Sequence, residues 1–332
     1  MMTHPKTTSV MLRKLSPLFL ALIFIVVACR TSQGVVINLS SSSTTEAPAT
    51  ILPYPTTVDL STSTSAPTLI TATSTQPANS PVPPTTNVFP VVIYPPYDSP
   101  NGYLLGGTQN GFWIDSIETA RLLRGDEQYW LYTDREEVGR SFGSVPIQNS
   151  PICPNWYEIS LAPLPASPST IAIGGDWNAL PRIPLEMSTD SDVYHQALGE
   201  LLQANGITSG DIQITRLLRI DLEGDGKDEV VMSAAHFVGE TGHQVEVGDY
   251  SVIAVRAITS KGVETLSLVA DYYLADNELA FPNRYELVGI LDLNGDGQME
   301  VIVQITGWEK LGTLGYLVSE GTVTNLFDVR CP

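Results

Sequence analysis

Two nine-residue stretches constrain the fold of this chain most. Asp221-Leu222-Glu223-Gly224-Asp225-Gly226-Lys227-Asp228-Glu229 returns 71 residues later as Asp292-Leu293-Asn294-Gly295-Asp296-Gly297-Gln298-Met299-Glu300. Apolar, β-branched runs with turn residues between them surround each stretch, which predicts strands at 212–220, 229–237, 249–258 and 264–273. A second set is predicted at 285–291, 299–306, 314–319 and 323–328. Four strands per repeat fit one antiparallel sheet per unit. Neither sheet can bury its apolar face by itself, so the two should stack on each other or on the N-terminal part.

The chemistry of the stretches lies in their oxygen pattern. Side-chain oxygens stand at positions 1, 3, 5 and 9, and glycines at 4 and 6 let the chain bend tightly. Calcium takes six to eight hard oxygen ligands, and alternating acids on a tight turn supply them. Asp221, Glu223, Asp225 and Glu229 form one candidate set, with the carbonyl of Lys227 added. Asp292, Asn294, Asp296 and Glu300 form the other, with the carbonyl of Gln298 added. Two structural calcium ions are therefore expected. An EF-hand is excluded, because Met232 and Val303 stand where its bidentate Glu belongs and strands, not helices, follow. The plain alternative for each loop is a glycine-rich turn with solvated acids.

The loops resemble those of the FG-GAP/VCBS family of calcium-binding β-repeats, found in integrin-type propeller blades. The resemblance covers roughly 210–330 and implies that each loop joins two strands of a blade. Glu223 is longer than the usual Asp or Asn, and Phe142-Gly143 lacks the rest of the family's Phe-Gly and Gly-Ala-Pro signature. Two repeats are also too few to close a propeller. The expected fold is thus α+β and mostly antiparallel β. It has two four-stranded repeat sheets over 207–332 and an N-terminal α+β portion over 88–206, with a degenerate propeller as the alternative.

Within 88–206, strands are predicted at 91–94, 111–115, 128–133, 156–161 and 170–173, with a short helix at 116–123. Asp115 and Glu118 have capping-box spacing. A longer helix begins at Asp190 or Ser191, carries Val193, Ala197, Leu198, Leu201 and Leu202 as one stripe, and stops at Asn205-Gly206. His195 lies just off that stripe and reads as a surface or half-buried residue.

The first 87 residues read as an address and a spacer. Lys6, Arg13 and Lys14 precede an apolar run over 15–28, which is too short for a bilayer span. It ends in Val26-Val27-Ala28-Cys29, which resembles the bacterial lipobox. That resemblance implies a signal peptide over 1–28, acylation of Cys29, and anchoring to the outer face of a bacterial membrane. Residues 29–87, rich in Ser, Thr and Pro, read as a disordered stalk.

From Val91 onward there are 34 acidic and 13 basic residues, a balance of 21 negative charges. Such a surface repels phosphate backbones, which argues against a nucleic-acid partner. Cys153 and Cys331 remain after Cys29, and in an oxidising compartment they suggest a disulfide; two free thiols are the alternative. No Gly-x-Ser-x-Gly, His-Glu-x-x-His, Walker or Rossmann motif occurs. His236, Glu240, His243 and Glu246 could form a zinc site but read more simply as a polar hairpin connection. Trp113, Trp130, Trp156, Trp177 and Trp308 could stack on sugars or fill the core. The expected role is a surface module that binds protein or glycan without catalysis. An extracellular hydrolase and a purely structural envelope component are the alternatives.

Overall fold

The computed structural model describes residues 87–94, 99–148, 150–208, 211–238, 244–276, 281–307 and 310–331. The expectations for the leader, Cys29, the stalk up to residue 86, Glu240, His243 and Trp308 lie outside these residues. All described residues belong to one unit, Pro77–Pro332.

The N-terminal portion is more β than expected. It contains β1 (Val88–Tyr94), β2 (Asn101–Gln109), β3 (Phe112–Asp115), α1 (Ser116–Leu122), β4 (Gln128–Tyr132), β5 (Glu137–Gly143), β6 (Glu158–Ala162) and β7 (Thr170–Ile173). The strands form one antiparallel sheet in the order β1-β7-β4-β5-β6-β2-β3. β1 also pairs with β2, from Val88 opposite Gln109 to Ile93 opposite Tyr103. That pairing closes six of the strands into a ring, with β3 hanging from β2. Closure removes free edges, and alternate residues point inward. Val92, Leu104, Tyr129, Leu131, Ile159, Leu161 and Ala172 form a separate buried cluster of this ring. The 88–206 portion keeps both expected helices, α2 (Asp192–Ala204) and the short α1, whose Asp115 carboxylate accepts from the Glu118 N–H at 2.8 Å.

Two further antiparallel sheets follow. The first has the order β12-β11-β10-β9-β8 and the second β13-β14-β15-β16. Their strands are β8 (Leu185–Glu186), β9 (Ile214–Ile220), β10 (Glu229–His236), β11 (Tyr250–Thr259) and β12 (Gly262–Tyr272), then β13 (Arg284–Leu291), β14 (Glu300–Gly307), β15 (Lys310–Ser319) and β16 (Thr322–Cys331). The first repeat sheet has five strands instead of four, because the two-residue β8 adds to the β9 edge. β10 and β14 begin 71 residues apart, whereas β11 and β15 begin 60 apart. The difference of 11 residues lies in the β10–β11 connection, which follows His236 and carries Glu246. In each repeat the second strand is buried on both faces along most of its length, as a central strand covered on two sides requires.

The helix α2 (Asp192–Ala204) has Ser191 as its N-cap and Asn205 as its C-cap. Ala197, Leu198 and Leu202 are buried, but Val193 is 59% exposed, so the stripe begins one turn later than its spacing suggested. His195 is half-buried, its Nε2 2.8 Å from the Thr189 carbonyl. The largest core cluster draws on all three sheets: Val91 and Ile173 from the ring, Leu218, Val231 and Val255 from the first repeat, and Leu291, Val301 and Leu314 from the second. Both repeats therefore bury their faces in common with the N-terminal ring. Cys153 and Cys331 are paired as a disulfide, joining β16 back to that ring.

Candidate metal centre

Both acidic stretches connect the first two strands of their repeat, and they fold alike. Ile220 pairs with Glu229 across the first and Leu291 with Glu300 across the second. Positions 4 and 6 are left-handed in both, with φ of 76° and 84° at Gly224 and Gly226 and 79° and 86° at Gly295 and Gly297. Residues with a Cβ rarely adopt this conformation, so the glycines are required by the turn.

The Asp at position 1 organises each loop. Asp221 Oδ1 accepts from the Gly224 and Asp225 N–H groups at 2.7 and 3.1 Å, and Oδ2 from Gly226 at 3.0 Å. Asp292 Oδ1 accepts from Asn294 and Gly295 at 3.3 and 2.6 Å, and Oδ2 from Gly297 at 2.9 Å. The Glu at position 9 reaches back across the strands. Glu229 Oε2 accepts from the Leu222 N–H at 2.9 Å and Glu300 Oε2 from the Leu293 N–H at 2.8 Å. Leu222 and Leu293, at position 2, are fully buried and anchor the loops to the core.

The loops differ at their outer positions. Position 5 accepts from the N–H of position 7 in both, at 2.9 Å for Asp225 and 2.8 Å for Asp296, but only in the second does the residue at position 3, Asn294, donate to it, at 3.0 Å. In the first, Glu223 accepts from the Glu320 N–H on the β15–β16 turn. Lys227 places its ammonium on Asp225. Lys227 and Asp225 thereby neutralise each other locally, and the Asp225 carboxyl is held below its usual range by that partner.

Burial makes the second loop the more demanding one electrostatically. Asp292 is 3% exposed and Glu300 is 1% exposed. Burial pushes the Glu300 carboxyl up to about 8; the Leu293 N–H opposes the shift, and the charges of Asp292 and Asp296 add to it. Glu300 Oε1 is buried without a hydrogen-bond partner. Asp292 is raised by burial against the amides of Gly295 and Gly297, and Glu229 is raised by burial against the Leu222 N–H. An orphaned buried carboxylate oxygen beside a second buried acid calls for a proton or a cation. On that ground the donor set of the second loop fits a hard dication. Among the described residues, no three His, Cys, Asp or Glu side chains are already gathered as a metal-holding group. The second loop's oxygens include Asn294 and main-chain carbonyls as well as acids.

A segment that the motif did not mark fastens the loops from outside. Trp177 Nε1 donates to the Asp292 carbonyl at 2.9 Å, and the Asp292 N–H donates to the Ala179 carbonyl at 2.9 Å. Arg182 donates from Nε to the Asp221 carbonyl at 2.5 Å, and from one terminal nitrogen to the carbonyls of Leu222 and Gly297 at 3.3 and 2.6 Å. The loops also touch directly, the Met299 N–H donating to the Leu222 carbonyl at 2.9 Å.

The remaining candidates lie elsewhere. Trp113 stacks on Phe327 with ring centres 5.0 Å apart, Trp156 lies 4.3 Å from Tyr103, and Arg140 covers the face of Trp130 at 3.5 Å. These contacts place the three tryptophans as packing residues. His236 lies 6.1 Å from the Tyr250 ring, and its Nδ1 is buried with no hydrogen-bond partner among the described residues. Asp249 accepts from the Val238 and Glu246 N–H groups at 2.8 and 2.9 Å and so shapes the β10–β11 connection.

No helix among the described residues is long and apolar enough to cross a membrane. Comparisons with protein-family models, curated proteins and solved structures found no match for the chain.

Proposed function

We propose that this chain is a calcium-stabilised, β-rich binding module, held outside a bacterial cell on a spacer anchored through lipidated Cys29. The observation that carries the metal reading is the buried pair Asp292 and Glu300, with Glu300 Oε1 lacking a hydrogen-bond partner among the described residues. A bound calcium ion would neutralise converging carboxylates that the fold otherwise keeps buried at a cost. Asp292, Asn294, Asp296, Glu300 and the Gln298 carbonyl would hold one ion. Asp221, Asp225, Glu229 and the Lys227 carbonyl would hold the other, with Glu223 joining only by leaving Glu320.

Two features support a binding role for protein or glycan. The sequence carries no recognised catalytic motif, and Asp221, Asp225 and Asp292 are engaged by the turn amides and by Lys227. The acidic surface disfavours nucleic acid. Arrayed glycans and envelope proteins, probed with the protein in calcium and again in chelator, test this reading. Retention on at least one ligand class, weakened by chelation, is expected. Retention on none removes the binding role.

A further inference from the structure

We propose that Arg182 is a positioning residue that fastens the two acidic loops into one unit, so that a dication taken up by one loop sets the order of the other. This rests on the calcium reading above and adds to it a coupling between the sites.

The argument begins with the arginine. Its guanidinium is planar, always charged and rich in donors, and it cannot accept a hydrogen bond. Arg182 spends these donors on three main-chain carbonyls, two in the first loop (Asp221 and Leu222) and one in the second (Gly297). None of its partners is a carboxylate, although the chain has acids on both sides. The grip therefore reads backbone position, not only charge.

Gly297 is held from both ends. Its carbonyl accepts from Arg182 at 2.6 Å and its N–H donates to Asp292 Oδ2 at 2.9 Å. A shift of the Asp292 carboxylate toward an ion must move Gly297 and hence the guanidinium. On the other side, Arg182 holds the carbonyl of Asp221, the residue whose carboxylate gathers the amides of Gly224, Asp225 and Gly226. The chain of contacts from Asp292 to Gly297, Arg182 and Asp221 is continuous, as energetic coupling through a folded protein requires. A second, weaker link is the Met299 N–H on the Leu222 carbonyl, which no change at residue 182 removes.

Hydrogen exchange of the full chain tests the coupling, read on peptides spanning 221–229 and 292–300 during a calcium titration. Four proteins are compared: the unaltered chain, Arg182→Met, Arg182→Lys and Glu300→Gln. In the unaltered chain both peptides gain protection with one shared calcium midpoint. Glu300→Gln weakens the response of the first loop as well as the second. Arg182→Met splits the midpoints by more than about 3-fold, and in chelator both peptides exchange roughly 10-fold faster. If Arg182→Met does not fold, Arg182→Lys decides, since a single ammonium keeps the charge but not the fork that spans three carbonyls. A midpoint still shared in the folded Arg182 variants overturns the coupling and leaves the calcium reading standing. No calcium response in the unaltered chain overturns the calcium reading and the coupling with it.

Discussion

The indole N–H of Trp177 donates to the main-chain carbonyl of Asp292 at 2.9 Å, tying the segment after β7 to the first residue of the second acidic loop. Phe89 meets the same indole edge-on at 5.4 Å, so the ring is held from the N-terminal sheet as well. Trp177→Phe keeps an aromatic ring but removes the donor and leaves the Asp292 carbonyl short of a partner. A loss of about 1–2 kcal/mol is expected from the urea midpoint, with the slope unchanged.

The left-handed glycines separate backbone cost from packing cost. A Cβ at Gly297 meets nothing within 4 Å, whereas one at Gly295 meets the Trp177 ring at 2.9 Å. Gly297→Ala should therefore cost about 1–2 kcal/mol through conformation. Gly295→Ala should cost more, because the indole must shift as well. Paired thermal melts check the order; equal losses would remove Trp177 as the packing partner of this loop.

Glu300 gives the metal-free domain a pH dependence with a definite sign. Its folded carboxyl titrates near 8, above its ordinary value of 4.5. Below about pH 4 it is neutral whether the chain is folded or unfolded, and it contributes no penalty. As pH rises through the unfolded value, the unfolded chain releases the proton and the folded chain retains it, so stability falls. The fall ends once the folded group ionises near pH 8. The loss is on the order of 5 kcal/mol, and the raised Asp292 and Glu229 add in the same direction. Melting in chelator from pH 4.5 to 8.5 should show the decline. Glu300→Gln should flatten it, and a decline of equal size in that variant would assign it elsewhere.

The disulfide between Cys153 and Cys331 closes a sequence separation of 178 residues. Loop-closure entropy puts its contribution at about 5 kcal/mol. Cys331→Ser should lower the melting temperature by ten degrees or so. The unreduced, denatured chain should expose no free thiol from this pair.

The repeats were legible in the sequence because their strands are long and apolar, and the acidic loops mark each first turn. All eight strands predicted after Gly206 are present, with ends shifted by at most four residues. The closed N-terminal ring was not legible. β2 contains Gly102, Gly106 and Gly107, and β5 contains Gly139 and Gly143, which weaken the strand signal. All but Gly139 serve close approach: a Cβ at Gly143 would meet the Tyr129 ring at 2.5 Å, and one at Gly107 would meet the Phe89 carbonyl at 2.9 Å. In the site, the loop glycines and acids could be read from spacing. Arg182 and the role of Trp177 could not, because both act from 39 or more residues away in sequence. The only hint was an arginine in a stretch of chain where bases are few.

Calorimetric melting of the protein at neutral pH, in millimolar calcium and then in chelator, tests the central claim most directly. Neutralising the buried carboxylates of the second loop should raise the melting temperature by several degrees, and Asp292→Asn with Glu300→Gln together should abolish that rise. Melting temperatures that coincide with and without calcium would contradict the account.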